Sequence, residues 1–216
     1  MWDANVGALC GERRVITWDM RGHAASDAPE DASAYGVQQS VGDMAALLDT
    51  LGAERAALGG MSLGGYLSLA FHARHHERVT SLILVDTGPG FRSEEPRREW
   101  NAFAERTAEA LERDGPAALS DSPEVGEHDG LTGLAHTARR VMAQHDAHVI
   151  DSLATIAVPT LVVVGSRDRN FLAAADYMAA KIPGASKVVL EGAGHAANID
   201  AADAFNAAAR DFLGDP

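Results

Sequence analysis

Three residues of the chain have the types and settings needed for nucleophilic chemistry, and the first is a serine. Ser62 is the centre of a G-x-S-x-G stretch at 60–64 (GMSLG), which follows an apolar run and leads into a helical pattern. This motif between a strand and a helix is typical of a tight turn that exposes a nucleophilic hydroxyl. The motif therefore predicts that Ser62 attacks a carbonyl carbon.

The glycines of this turn have a steric reason. The turn strains the serine backbone and brings neighbouring backbone together, so side chains in place of Gly60 and Gly64 are expected to clash. It also places Ser62 at a helix N-terminus, where negative charge is favoured. The N–H of Leu63 is predicted to donate to the oxyanion. The alternatives are a plain helix cap and a phosphate-binding loop, and the second lacks its G-x-x-x-x-G-K-[ST] or G-x-G-x-x-G signature.

A serine hydroxyl is a weak nucleophile unless a base takes its proton. His195 follows the last predicted strand, in the sequence GAGH at 192–195. That position puts it at the carboxyl end of the sheet, which is also where Ser62 is expected. The flanking glycines and the strand-end position favour a general base over a surface histidine.

The base needs a carboxylate that fixes its tautomer. Two aspartates follow predicted strands: Asp168, in the sequence GSRD at 165–168, and Asp86, which closes the run ILVD at 83–86. We predict that Asp168 is the acid. Asp86 is the competing candidate, and its alternative role is to cap a strand end.

Five short runs predict the strands that position these residues. Most are rich in Val, Ile and Leu without alternation, as expected where both faces of a parallel sheet are covered. The runs are Arg14–Met20, Ala56–Met61, Ser81–Thr87, Thr160–Ser166 and Lys187–Ala193. Helical periodicity occurs at Val41–Leu51, Leu67–Phe71, Glu95–Arg113, Gly133–His148 and Ala204–Leu213. The alternation predicts an α/β fold with a mostly parallel, doubly wound sheet.

One long stretch interrupts this alternation. No convincing strand lies between about Phe91 and Ile156, where helical segments are joined by Gly115-Pro116 and Ser120–Gly130. A helical insertion of this length is typical of a cap over a site. We therefore predict a core formed by residues 1–90 and 157–216, with a helical cap at 91–156.

Taken together, these segments resemble the α/β-hydrolase family, especially its capped esterase, lactonase and haloperoxidase-like members. Arg14–Asp27 (RVITWDMRGHAASD) is similar to the family pattern D-x-R-G-H-G-x-S-D. Asp43–Gly65 resembles the helix and nucleophile turn, Val158–Asp168 the strand before the acid, and Glu191–His195 the loop of the base. The resemblance implies the chain order nucleophile, acid, base, which Ser62, Asp168 and His195 follow.

The chain departs from the family pattern in two places. Ala24 stands where the G-H-G turn usually has glycine. In family members, about three further strands and a His-Gly loop with a second oxyanion donor precede the segment resembling Met1–Met20. An N-terminally shortened sheet is therefore expected. The two strands on either side of the missing one would have unpaired backbone edges, for which there are three explanations. Arg14–Met20 pairs directly with Ala56–Met61, a second copy completes the sheet in a homodimer, or the sequence is a truncated reading of a longer gene.

The net charge and the cysteine content limit the classes of partner and the cellular compartment that we expect for this protein. The formal net charge is −13, so nucleic acid and anionic membrane surfaces are not expected to bind. A single cysteine, Cys10, allows no internal disulfide and favours the cytoplasm. No secretory leader is recognised at Met1, and the apolar runs are too short to span a bilayer. The expected partner is a small-molecule ester or lactone.

The predicted activity is therefore hydrolysis of a carboxylic ester or lactone through an acyl-enzyme on Ser62, with no metal or organic cofactor. Enol-lactone hydrolysis, carbon–carbon bond hydrolysis and perhydrolysis use the same residues and remain open. A non-catalytic or impaired protein of this fold, without a complete oxyanion hole, is the alternative from another class. For His72, His75 and His76, a solvated helix end is preferred to a metal site.

Overall fold

The computed structural model describes residues 1–11, 13–119 and 131–214. The connection predicted at Ser120–Gly130 lies outside these residues. The chain divides into two compact units, each of which is described by itself. The first unit consists of residues 1–17, 48–89 and 148–216, and the second of residues 18–47 and 90–147. The core and cap boundaries expected from the sequence stay a prediction.

A parallel four-stranded sheet forms the centre of the first unit. Its order is β1 (Ala56–Met61), β2 (Val79–Val85), β3 (Thr160–Gly165) and β4 (Ser186–Leu190). Met61 is in register with Val85, and Gly165 with Leu190, so neighbouring strands end level with one another. The predicted α/β fold with a parallel sheet is confirmed, as are four of the five predicted strands.

Helices cover both faces of this sheet, which explains the uninterrupted apolar runs. Residues at alternate positions of β2 and β3, such as Ile83 and Val163, form one core with Phe205. The intervening positions, such as Leu82 and Val162, are buried as well, and the helices Leu63–Arg74 (α3) and Leu172–Lys181 (α7) pack against these strands. The helices of this unit are α1 (Asp3–Leu9), α3 (Leu63–Arg74), α6 (His148–Ser152), α7 (Leu172–Lys181), α8 (Ala197–Asp200) and α9 (Ala202–Leu213).

Three buried asparagines hold helix α1 to the C-terminal helices. Asn5 is 0% exposed, and its Nδ2 donates to the Asn206 Oδ1 (2.9 Å) and to the Asn198 carbonyl (3.0 Å). Asn198 Nδ2 donates to Asn5 Oδ1 (3.2 Å), and Asn206 Nδ2 donates to the Ala4 carbonyl (3.0 Å). Because α8 begins two residues after His195, this network anchors the segment that carries the predicted base.

The second unit is helical. It contains α4 (Glu94–Asp114) and α5 (Thr132–Thr137), whose buried side chains share a core that includes Leu111 and Leu134. Helix α2 (Val37–Thr50) crosses the division between the units. The helices predicted at 41–51, 67–71, 95–113 and 204–213 are confirmed within α2, α3, α4 and α9. Short 3-10 turns lie at Ala32–Ala34, His76–Arg78, Gly115–Leu119 and Leu153–Thr155.

The helix predicted at Gly133–His148 is not continuous. α5 passes into a π-helical turn at Ala138–Met142, and the chain then becomes extended at Ala143 (φ −63°, ψ 143°). The side chain of Asn101 holds this extended backbone, because it accepts from the Gln144 N–H and donates to the Gln144 carbonyl, both at 2.8 Å. A side chain on another helix thus replaces the next helical hydrogen bonds.

The strand predicted at Arg14–Met20 is wrong. This segment has no regular secondary structure and belongs to no sheet, and Ile16, which was expected to be buried, is 37% exposed. Among the described residues β1 pairs only with β2, so direct pairing of Arg14–Met20 with β1 does not occur. A parallel strand is formed by hydrogen bonds to a neighbour, and apolar composition alone cannot replace them.

The alanine that replaces the second glycine of the G-H-G pattern adopts an unusual backbone conformation. Ala24 adopts φ +45°, in the left-handed region that favours glycine. At this position the departure from the family pattern therefore carries a cost in local backbone strain.

We expect Asn5→Ala to lower the free energy of unfolding by about 2–4 kcal/mol, because Asn198 and Asn206 would lose buried partners. Chemical denaturation measures this change. Asn170→Ala is the matched control, since Asn170 is exposed and should shift stability by no more than about 0.5 kcal/mol. Equal effects of the two substitutions would contradict the anchoring role of Asn5.

Candidate active site

Ser62 lies in the turn between β1 and α3, in a strained backbone conformation. Its φ is +51° and its ψ is −117°, a region that residues other than glycine rarely adopt. Two contacts with the neighbouring strand hold it there: the Ser62 N–H donates to the Val85 carbonyl (2.9 Å) and the Thr87 hydroxyl donates to the Ser62 carbonyl (2.6 Å). Strain of this kind persists only where surrounding structure imposes it.

The glycines around Ser62 do not all serve the same purpose. A Cβ on Gly60 would lie 2.2 Å from the carbonyl carbon of Gly64, so the predicted steric reason for Gly60 is confirmed. For Gly64 it is wrong, because a Cβ there meets nothing within 4 Å. Gly65, which the sequence did not single out, is the second restricted position: a Cβ there would lie 2.5 Å from Thr87 Cγ2.

His195 lies beside the Ser62 hydroxyl. It occupies the loop after β4, and its Nε2 is 3.0 Å from Ser62 Oγ. Its Nδ1 is 2.7 Å from Asp168 Oδ2. The ring stacks on Phe171, with 5.0 Å between ring centroids and 21° between planes. Phe171 had no signal in the sequence, since a single aromatic residue at a helix start is ordinary.

Asp168 follows β3, and its side chain is only 4% exposed. Its N–H donates to the Gly165 carbonyl (3.1 Å), which turns the chain sharply after the strand. The structure thus brings together Ser62, His195 and Asp168, the three residues selected from the sequence, in one unbroken row of hydrogen bonds. With the ring proton on Nδ1, Nε2 of the imidazole is free to accept the hydroxyl proton.

The loops of Asp168 and His195 touch each other through their backbones. A Cβ on Gly165 would lie 2.2 Å from the Gly194 carbonyl oxygen and 2.5 Å from that of Ala193. The Arg167 N–H donates to the same Ala193 carbonyl (2.9 Å). Neither loop can therefore shift far without moving the other.

Asp86, the competing carboxylate, occupies a different place. It is 0% exposed and accepts hydrogen bonds from two backbone N–H groups, those of Gly165 (2.8 Å) and Ala197 (3.0 Å). Burial raises the pKa of the Asp86 carboxyl to about 6. The two N–H groups oppose this rise, the negative Asp168 adds to it, and His195 lowers the pKa.

Leu63 is the first residue of α3. The first N–H groups of a helix have no acceptor within the helix, and they point out of its positive end. The first hydrogen bonds of the helix are made to Ser62, whose carbonyl accepts from the N–H groups of Gly65 (3.1 Å) and Tyr66 (3.2 Å). Leu63 thus stands at the N-terminus of the helix, directly after the serine.

The side chains discounted in the sequence lie elsewhere. The solvated helix end that the sequence favoured is wrong for His72, which is only 4% exposed because it lies on a buried part of α3. Burial lowers the pKa of the His72 imidazole, and His76 adds to the effect. No group of three or more potential metal ligands occurs within the part of the chain that the structure describes.

None of the helices in the described ranges combines the length and the apolar character that crossing a membrane requires.

Known proteins share both the sequence pattern and the fold. Residues 1–208 match the profile of a family described as the Alpha/beta hydrolase family. The chain is 30% identical over 221 residues to 3-oxoadipate enol-lactonase 2 of Acinetobacter baylyi (strain ATCC 33305 / BD413 / ADP1). That alignment covers 95% of this chain and 80% of the relative.

Solved structures extend this likeness. The enol-lactonase from Burkholderia xenovorans LB400 is 34% identical, with a TM-score of 0.76, over 98% of this chain and 85% of its own. A thermophilic esterase from Thermogutta terrifontis is 29% identical, with a TM-score of 0.83, over 98% of this chain and 84% of its own. The likeness therefore includes the strand ends that carry the site.

The two motif glycines should respond differently to alanine. Gly60→Ala is expected to destabilise the protein by about 3 kcal/mol or more, because its Cβ overlaps backbone that cannot rotate away. Gly64→Ala should be neutral or stabilising by up to about 1 kcal/mol, because it lies in a helix with open space around it. Thermal unfolding of the two variants measures the contrast. A similar loss in both would show that the turn is less closely packed than described.

Asp86→Asn should change how stability depends on pH. The wild-type carboxyl binds its proton more tightly in the folded protein, with a pKa of about 6 against the ordinary 3.8. Stability from this proton is present below about pH 4 and is lost as the pH rises to about 6, by up to roughly 3 kcal/mol. Relative to wild type, the variant should therefore be more favoured at neutral pH than at acid pH. Urea unfolding at both pH values would refute this if the difference stayed constant.

Proposed function

The chain belongs to the alpha/beta hydrolase family, and from this premise we propose that it is a serine hydrolase that cleaves a carboxylic ester or a lactone through an acyl-enzyme on Ser62. The observation that carries the proposal is the row of hydrogen bonds from Ser62 Oγ through both ring nitrogens of His195 to Asp168 Oδ2. A hydroxyl, an imidazole and a buried carboxylate in this order form the arrangement that activates a serine.

In the first half of the proposed reaction, Nε2 of His195 takes the hydroxyl proton as Ser62 Oγ bonds to the substrate carbonyl carbon. The imidazolium that forms is stabilised by the Asp168 carboxylate at 2.7 Å. His195 then gives the proton to the leaving alkoxide, and the acyl group stays on Ser62. For a lactone, the alkoxide remains attached to the acyl chain.

Negative charge develops on the carbonyl oxygen during this attack. The N–H of Leu63 is proposed to donate to it, since this residue begins α3 directly after Ser62. The positive end of the helix dipole favours charge at the same point. The contacts of Val85 and Thr87 with the strained Ser62 backbone support the proposal, because a turn held in this way would position the donor before the substrate binds.

The second half of the reaction repeats the first with water. His195 takes a proton from water, whose oxygen attacks the acyl carbon, and then returns a proton to Ser62 Oγ. The acid product leaves and the enzyme is restored. No step needs a metal or an organic cofactor.

The relatives favour a lactone or a small ester as the substrate class. Two of them carry enol-lactonase in their names and a third is an esterase. The proposed cap at 91–156 would select among such substrates, as binding residues usually lie on segments inserted into a rigid fold. We therefore propose a lactone or a small ester as the substrate, and the cytoplasm as the place where the enzyme acts.

Ser62→Ala is expected to lower kcat/KM for short-chain p-nitrophenyl esters by about 10³-fold or more, and Asp168→Asn should have a comparable effect. Ser186→Ala is the matched control, because Ser186 is an exposed serine at the start of β4. It should retain wild-type turnover.

A fluorophosphonate probe separates the possible failures. Labelling of wild type at Ser62 together with slow turnover would indicate an impaired hydrolase that lacks part of its oxyanion hole. Neither labelling nor turnover in a folded wild-type protein would overturn the proposed function. Turnover that survives Ser62→Ala would remove Ser62 from the mechanism.

A further inference from the structure

One buried side chain contacts the backbone on both sides of the candidate site. Asp86 Oδ1 accepts from the Gly165 N–H (2.8 Å) and Oδ2 accepts from the Ala197 N–H (3.0 Å). Gly165 lies three residues before Asp168, and Ala197 lies two residues after His195. Each oxygen therefore holds a different one of the two segments that supply the acid and the base.

Asp86 itself is fixed to the sheet. Its N–H donates to the Val163 carbonyl (2.9 Å), which continues the pairing of β2 with β3 beyond the last residue of β2. Its φ is +44°, and aspartate and asparagine tolerate this left-handed region better than most side chains. The side chain is thus aimed across the strand ends from a rigid base.

We propose that Asp86 is a positioning residue, whose two carboxylate oxygens hold the Asp168 loop and the His195 loop in the arrangement that activates Ser62. The inference rests on the proposed serine chemistry, and it gives Asp86 no contact with the substrate. Asp168 remains the carboxylate that bonds the imidazole.

The role requires a charged carboxylate. Only the ionised form accepts on both oxygens, because a protonated acid or an amide presents a donor at one of the two places. Yet the group is fully buried, and its charge faces Asp168 from the β3–α7 loop and His195 from the β4–α8 loop. Burial of a carboxylate beside another is unfavourable for stability. A group kept in that state is more typical of a functional site than of a simple strand cap.

Small displacements of these loops would matter. The backbone of Gly165 already lies against that of Gly194 with no space for a Cβ, so a shift at one loop is passed to the other. A displacement of the reacting groups by about 1 Å can lower the reaction rate roughly 100-fold. Asp86 therefore acts on catalysis through the geometry of Asp168 and His195.

A graded pair of variants tests the proposal. Asp86→Asn keeps the backbone conformation and one acceptor, whereas Asp86→Gly keeps the conformation and removes both acceptors. We expect kcat for p-nitrophenyl ester hydrolysis to fall roughly 10- to 100-fold in Asp86→Asn and further in Asp86→Gly, with KM little changed. Asp176→Asn, which removes an exposed carboxylate paired with Lys187 on the same unit, is the control and should keep wild-type kcat.

The pH profile distinguishes positioning from a loss of stability. As the pH falls through about 6, wild-type Asp86 becomes protonated and presents one acceptor and one donor, as asparagine does. The ratio of wild-type to Asp86→Asn kcat/KM, corrected for the folded fraction, should therefore decline towards one at acid pH. A ratio that does not change with pH would overturn the proposal.

A measurement without substrate keeps this inference separate from the proposed function. Amide hydrogen exchange at Gly165 and Ala197 should be slow in wild type and faster at one or both positions in Asp86→Asn, with β1 amides unchanged. Unchanged exchange at both positions would overturn the role of Asp86. Loss of the proposed function itself would appear differently, as wild-type hydrolysis that is absent or independent of Ser62.

Discussion

At the carboxyl ends of the strands, two pairs of backbone segments approach so closely that only glycine fits between them. Gly60 lies against the carbonyl of Gly64, and Gly165 lies against the carbonyl of Gly194. The first contact folds the serine turn back onto its strand, and the second brings the loops of the acid and the base together. The 3.0 Å distance from Ser62 Oγ to His195 Nε2 depends on both. Methyl groups at these two positions would separate the very segments that must converge.

Much of the first unit could be predicted because its sequence signals are local. Runs of Val, Ile and Leu identified β2, β3 and β4. The G-x-S-x-G motif located Ser62 in the correct turn, directly after β1. The choice between Asp168 and Asp86 was less secure, since both follow a strand. What separates them is the path of the chain after each strand, which sends Asp168 to the imidazole and Asp86 to backbone N–H groups. Sequence alone contains no measure of that path.

Other features escaped prediction because they depend on distant partners. Arg14–Met20 has the composition of a strand but pairs with no other strand in the described chain, so it is not part of the sheet. The periodicity of 133–148 continues past the point where Asn101 takes over the hydrogen bonds of Gln144. Phe171 and Gly65 carry no sequence signal at all. Their importance comes from a ring and a methyl group that the fold places beside them.

The asparagine network has a consequence for how the molecule forms during synthesis. Asn5 bonds to Asn198 and Asn206 across sequence separations of 193 and 201 residues. Contacts between residues so far apart in sequence form late, because the intervening chain must first be synthesised and folded. During synthesis, Asn5 of helix α1 therefore leaves the ribosome 193 residues ahead of Asn198, the first partner of its buried amide. The segment that carries His195 is anchored by the same contacts. Because His195 follows Ser62 by 133 residues, the nascent chain contains the nucleophile long before it contains an anchored base.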